Sequence, residues 1–313
     1  MGREESGDAG SSGELKIEWR SAGAWRNWYT RASQKRIPKG LGVRVSPHPL
    51  VTIYLKNGLY EFLMFGLKEA RACIFAGSFF ILLFASNHIP LFGFARYDFL
   101  FVAAVLLQVV LYLTKVETWD EVKVIFLFHI LGLALEAFKT NPAVGSWGYP
   151  EEALFKLGTV PLFSGFMYAA VGSYIAQAWR ILKLELENPP SYFWSAVLCV
   201  LIYANFFTNH FIPDLRIILI PAVFILFAHT NVKFTVTEKV RSLPLALAFC
   251  LIAFFIWIAE NISTFYGAWQ YPDQVHVWNV VSTGKITSWF LLVIICFIIV
   301  AYLKHYKAAH QRT

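Results

Sequence analysis

Between residues 72 and 304 the chain carries eight apolar runs of roughly twenty residues, separated by short polar links. A bilayer's hydrocarbon core is about 30 Å thick, and a helix needs about 20 mostly apolar residues to cross it. Inside that core every backbone N–H and C=O must be satisfied within the protein, so such runs fold as packed helices. The expected spans are 72–94, 97–115, 121–139, 157–178, 192–211, 214–232, 243–265 and 287–304. The expected fold class is therefore an all-α membrane protein of eight transmembrane helices. Span four contains Gly158, Pro161, Gly165 and Gly172, which predicts close packing or a kink there.

Composition excludes the alternatives. Of 313 residues, 57% are hydrophobic and 15% charged, with a mean hydropathy of +0.53. A soluble domain has about 25% charged residues. Too few charges are present to cover a soluble enzyme, and too much apolar content for a disordered chain. Cys73, Cys199, Cys250 and Cys296 each sit in an apolar run, with no zinc-ligand spacing and no sign of a disulfide framework. The net charge of +7 is concentrated early, since residues 1–50 hold nine basic and five acidic side chains. The remainder is nearly balanced, so no nucleic-acid partner is expected.

Lys and Arg set the orientation. With both termini cytoplasmic, the inner side carries thirteen, from Lys56, Lys68 and Arg71 through to Lys304, Lys307 and Arg312. The outer side carries five: Arg96, Lys139, Lys156, Arg216 and Lys285. The expected location is the bacterial inner membrane.

Residues 1–50 read as a separate tail that is polar, rich in Gly, Ser and Arg, and without the regions of a signal peptide. Trp25-Arg26-Asn27-Trp28-Tyr29-Thr30-Arg31 back-translates to a sequence like the D-arm of a bacterial leucine tRNA gene. Val43-Arg44-Val45 admits the codons of a T-arm. Residues of about 22–50 are thus expected to be a translated tRNA gene behind a misplaced start codon, with no part in function.

The remainder is expected to be a duplication with a period near 122 residues, 51–190 and 191–313 each forming a four-helix repeat. Asn87-His88-Ile89-Pro90 recurs as Asn209-His210-Phe211-Ile212-Pro213. Glu136 and Thr140 precede Gly145-Ser146-Trp147-Gly148-Tyr149-Pro150-Glu151, and Glu260 and Thr264 precede Gly267-Ala268-Trp269-Gln270-Tyr271-Pro272-Asp273. Units of four spans insert with the same topology, so they are expected to be related by an axis along the membrane normal.

Ionisable residues within spans usually face a bundle interior or a cavity and mark function. Glu136, Glu260, His88, His210 and His129 are the candidate catalytic groups, because a carboxyl at the edge of hydrocarbon is suited to proton transfer. Thr140, Thr264, Trp147, Tyr149, Trp269, Tyr271, Asn87, Asn209, Arg96 and Arg216 gather at the same expected end and are the candidate binding residues. Trp257, Trp278 and Trp289 add to an aromatic cluster able to stabilise a cation. No H-E-x-x-H, E-x-x-H or helically spaced His pair occurs, so no metal or cofactor is expected.

Five segments carry a further likeness: Gly66-Leu67-Lys68-Glu69-Ala70, Glu136-Ala137-Phe138-Lys139-Thr140, Ser146-Trp147-Gly148-Tyr149-Pro150, Pro161 to Tyr168, and Glu260-Asn261. On these residues the chain from about Tyr60 to Lys304 resembles a family of bacterial integral membrane proteins of unknown function, the YoaT-like family (domain of unknown function 817). The resemblance implies a multi-pass inner-membrane protein and supplies no activity. A second likeness is to small membrane lycopene cyclases and carotenoid hydratases, which are similar in having an acid on a helix before a glycine and W-x-[YF] in a duplicated frame. No catalytic residue is carried over from them.

Three functions compete. The first is an enzyme acting by acid–base chemistry on a lipid or isoprenoid. The second is a carrier with its site between the repeats, and the third a non-catalytic binder of a membrane lipid or hydrophobic small molecule. The oligomeric state is left open. For the tail, the codons of residues 22–50 are expected to spell tRNA arms; a gene sequence that folds into no cloverleaf ends that reading.

Overall fold

Glycine placement governs the tightest packing in the bundle. The structure, a computed structural model, describes residues 49–310, and those from Ile53 onward form one unit. The expected N-terminal tail lies outside the described residues apart from its last two. Helix α1 (Pro49–Ala72) leads into α2 (Ile74–Ser86), and between Asn57 and Ser86 the pair is bent by 67°. Then follow α3 (Arg96–Leu113), α4 (Trp119–Lys139) and α5 (Ser164–Ile181). The later part holds α6 (Tyr192–Thr208), α7 (Arg216–Leu226), α8 (Leu245–Phe265) and α9 (Lys285–His310). In α4, Gly132 meets Tyr168 of α5. In α5, Gly165 and Gly172 meet His129 and Phe128 of α4. A Cβ on Gly172 would lie 2.2 Å from the Phe128 ring, so only glycine lets these two backbones approach.

The start of α4 is written locally. Thr118 accepts from Glu121 N–H, and the Glu121 side chain accepts from Thr118 N–H at 2.8 Å, a reciprocal cap. Arg180 of α5 then pairs with the buried Glu121 at 3.0 Å.

Helix α9 runs through the middle, with Leu291, Val293, Ile294 and Cys296 buried against α5, α6, α7 and α8. The outer faces of the helices are apolar: Leu106, Val110, Phe126, Val200, Ile225 and Phe255 are all exposed. An apolar exterior over a core that holds polar groups is what a hydrocarbon solvent selects.

Among the described residues, three helices are individually long and apolar enough to cross a membrane: α3, α8 and residues Lys285–Lys304 of α9. The bent α1–α2 pair makes a fourth if it counts as one span. Each of the eight expected segments contains a helix, but several are shorter than expected. The fourth begins at Ser164 rather than 157, because Lys156–Leu157 (β1) and Val160–Pro161 (β2) form a hairpin turned by Gly158 at φ +62°. Gly158 and Pro161 therefore shape a turn, while Gly165 and Gly172 do the packing. The sixth segment contains Pro221 inside an eleven-residue helix.

The all-α expectation also gains a small antiparallel sheet in the order β3 (Glu185–Glu187), β4 (Asn231–Thr235), β5 (Val240–Pro244). These strands join helix ends remote from Glu136 and Glu260. Lys68 of α1 donates to the Thr235 carbonyl, and Glu61 pairs with Arg241. Replacing Gly172 with Ala is expected to cost about 1–3 kcal/mol of stability through overpacking. A lowered melting temperature of the purified protein in detergent checks this.

Candidate functional site

A carboxyl group in an apolar bundle needs donors, and the chain supplies them to Glu136 and Glu260 in closely similar ways. Glu136 is 2% exposed and Glu260 3%. Glu136 Oε2 accepts from Trp147 Nε1 at 2.7 Å and Tyr149 O–H at 2.8 Å, and its Oε1 accepts from Tyr168 O–H at 2.7 Å. Glu260 Oε1 accepts from Tyr271 O–H at 2.5 Å and its Oε2 from Trp289 Nε1 at 2.8 Å. Each glutamate lies near the C-terminal end of its helix. Each is held by a tyrosine from the following loop and by an aromatic donor on the next long helix, α5 or α9.

The loops share a local design. Gly145 and Gly267 adopt φ +58° and +70°, a conformation that side chains with a Cβ disfavour. The next residue donates back to the helix end, Ser146 N–H to Lys139 O and Ala268 N–H to Ser263 O, both at 2.9 Å. The loops then pair with one another. Gly148 and Gln270, the central residues of the two W-x-Y units, exchange both backbone hydrogen bonds at 2.9 Å. Burial, together with the nearby glutamate, raises the phenol pKa of Tyr149 and Tyr271 well above its ordinary value. Both therefore remain O–H donors.

A cavity of about 330 Å³ lies against these groups. Of the expected site residues, Glu136, Glu260, His210, Trp147, Trp269, Tyr271, Asn209 and Arg216 line it. Tyr149 touches it only through Glu136. The others stand elsewhere. His88 is exposed, stacked on Phe84, with Nδ1 against the Phe84 carbonyl. His129 packs against Gly165 and Phe166, and its Nδ1 has no hydrogen-bond partner among the described residues. Thr140 closes α4 by bonding the Glu136 carbonyl and Thr159, while Thr264 bonds Asn261 O and accepts from Trp278. Asn87 donates to the Tyr266 carbonyl. Arg96 clamps Ser86, Glu151 and the carbonyls of Tyr266 and Gly267. These contacts tie loops together rather than face the cavity.

The structure adds residues that the sequence reading did not place in the site. Lys285 opens α9 and lies 5.1 Å from the Trp147 ring centroid and 4.3 Å from that of Tyr271, touching the loops of both halves. Tyr168 and Ser146 complete the wall. Lys139, only 6% exposed, donates to Asn209 Oδ1 at 3.1 Å and lies 2.7 Å from His210 Nε2. In the sequence both lysines look like ordinary charges flanking a span, and Tyr168 like one aromatic among many. Among the described residues, no group of three or more His, Cys, Asp or Glu is gathered to hold a metal.

This is a multi-pass helical membrane protein with a cavity at one end of its bundle that is lined by several polar groups. Residues 61–297 match a family described as a protein of unknown function (DUF817), and the chain belongs to it. Its relative in Bacillus subtilis (strain 168), described as the uncharacterized protein YoaT, is 50% identical over 251 residues, covering 80% of this chain and 94% of that protein. Among solved structures, a mycobacterial Insig homolog, MvINS from Mycobacterium vanbaalenii, aligns with a TM-score of 0.43 at 13% identity. It covers 59% of this chain and 93% of its own. A cross-linked MvINS trimer gives 0.40 at 14% identity. None of these comparisons extends the likeness to lycopene cyclases and carotenoid hydratases.

Tyr271→Phe is expected to lower stability by about 1–3 kcal/mol, the usual cost of leaving a buried acceptor short of a donor. Thermal unfolding in detergent measures it. A melting temperature unchanged from the parent would contradict the donor role.

Proposed function

We propose that the protein binds a membrane lipid or other hydrophobic small molecule in the cavity between two four-helix repeats and modifies it by acid–base chemistry. One observation carries the reading: Glu136 and Glu260, from positions equivalent in the proposed repeats, line one cavity together with His210 and Lys285. A largely apolar cavity with a few convergent polar groups is the usual form of a small-molecule site. In this reading one glutamate donates a proton and the other accepts one. His210 assists, and the rings of Trp147, Trp269, Tyr271 and Trp289 face developing positive charge.

The reading includes eight passages through the bilayer, repeats at 51–190 and 191–313, termini on the cytoplasmic side of the bacterial inner membrane, and the cavity in the outer half. The matched loop geometry and the bridge between Gly148 and Gln270 support the repeat. The short α7 fits a passage because residues 227–230 carry the chain on to β4, which pairs with β3 beyond the far end of α5.

A carrier is less well supported. Below the cavity lies a void of about 10 Å³ lined by Phe128, Leu131, Tyr203, Ile295 and other mainly apolar groups, which offers no polar track inward. A purely binding role is favoured by the aromatic donors that hold both carboxyl groups. Glu136→Gln and Glu260→Gln, expressed in a strain lacking the gene, decide between enzyme and binder. The expected outcome is that neither variant restores the wild-type lipid extract. Identical extracts from the deletion and wild-type strains would refute the enzymatic reading.

A further inference from the structure

Three cations, Lys139, Lys285 and Arg216, line the cavity together with two carboxyl groups, Glu136 and Glu260. Arg216 has a counter-ion, since its Nε meets Asp214 Oδ2 at 2.5 Å. Asp214 also accepts from Arg216 N–H and from Asn205 Nδ2. Lys139 donates to Asn209 Oδ1, lies against His210 Nε2 and sits over the Phe138 ring. Lys285 lies over two aromatic rings. Among the described residues, neither lysine comes within 4.0 Å of a carboxylate oxygen, although Glu136 and Glu260 line the same cavity. Each of their oxygens accepts from at least one Trp or Tyr donor. Lys285 and Arg216 repel the Lys139 ammonium while Asp214 attracts it, and Glu260, Glu136 and Asp273 attract Lys285 from beyond ion-pair distance.

The backbone adds to the positive charge. Lys285 is the first residue of α9, where the helix dipole is positive, and no acidic residue lies in that first turn. Arg216 reaches the same turn through Thr287 Oγ1 at 3.2 Å and Ser288 Oγ at 3.0 Å. Asn261 and Trp257 of α8 pin Val281, which fixes the approach to this turn. Like charges held together beside a helix N-terminus are costly when empty and favourable around an anion.

The geometry points to an oxyanion site, with Lys139, Lys285 and Arg216 gripping the phosphate or carboxylate head of an amphiphile whose apolar part lies against Leu135, Phe206 and Leu292. This rests on the cavity reading above and specifies the ligand's chemistry. The glutamates then face the portion of the ligand next to its head.

The test is calorimetric titration of the full chain in a neutral maltoside detergent with three probes: dodecyl phosphate, dodecanol and inorganic phosphate. Dodecyl phosphate is expected to bind at least about tenfold more tightly than dodecanol, with affinity falling as salt rises. It should also exceed inorganic phosphate. Lys285→Gln and Lys139→Gln should each weaken it about tenfold or more. Lys285→Arg, which keeps the charge, should retain most of the binding and guards against a variant that merely unfolds.

Equal binding of dodecyl phosphate and dodecanol would overturn the anion site while leaving an amphiphile cavity. Equal binding of dodecyl phosphate and inorganic phosphate would keep the anion site and overturn the amphiphile reading. Failure of all three probes would overturn both.

Discussion

Two of the buried carboxyl groups, Glu136 and Glu260, are the constraint around which the cavity end of the bundle is arranged. Each has to be met by donors from inside the protein, because the surrounding hydrocarbon offers none. Trp147, Tyr149 and Tyr168 meet Glu136, and Tyr271 and Trp289 meet Glu260. These bonds draw the loops after α4 and α8 inward over the helix ends. Once there, the loops pair through Gly148 and Gln270 and carry the aromatic rings on which Lys285 rests. The glycines at 145 and 267 make the turn possible, and the tyrosine hydroxyls hold it.

The same arrangement explains why the cavity is polar at its rim and apolar below. The polar groups that line the cavity come from near helix ends, where the ends of α4, α6 and α8 meet the beginnings of α5, α7 and α9. Deeper in, α4 and α5 touch through Gly132, Gly165 and Gly172 and leave almost no space. From the rim inward, charge thus gives way to side-chain packing.

Much of this was legible in the chain itself. The apolar runs give a helical membrane protein, and the recurrence of an acid before G-[SA]-W-x-Y-P picks out Glu136, Glu260, Trp147 and Tyr271, all of which reach the cavity. Other polar residues on the same segments could not be sorted by type. Arg96 and Arg216 each open a helix, yet Arg96 ties loops together while Arg216 faces the cavity. His88 and His210 share a motif, but only His210 meets a lysine from the other half. The hairpin at 156–161 and the short α7 also escaped a reading by hydropathy, which registers apolar content and not the turn that Gly158 makes.

By itself the sequence determined the solvent, the helical class and the family. Transfer of apolar side chains and the need to satisfy the backbone act residue by residue along the chain. Only the tertiary structure decided which charges share a cavity. Lys139 and Lys285 are far apart in sequence and look alike as flanking cations. What brings them together is the pairing of two distant loops and the seating of α9 between them, a long-range geometry that no local pattern encodes.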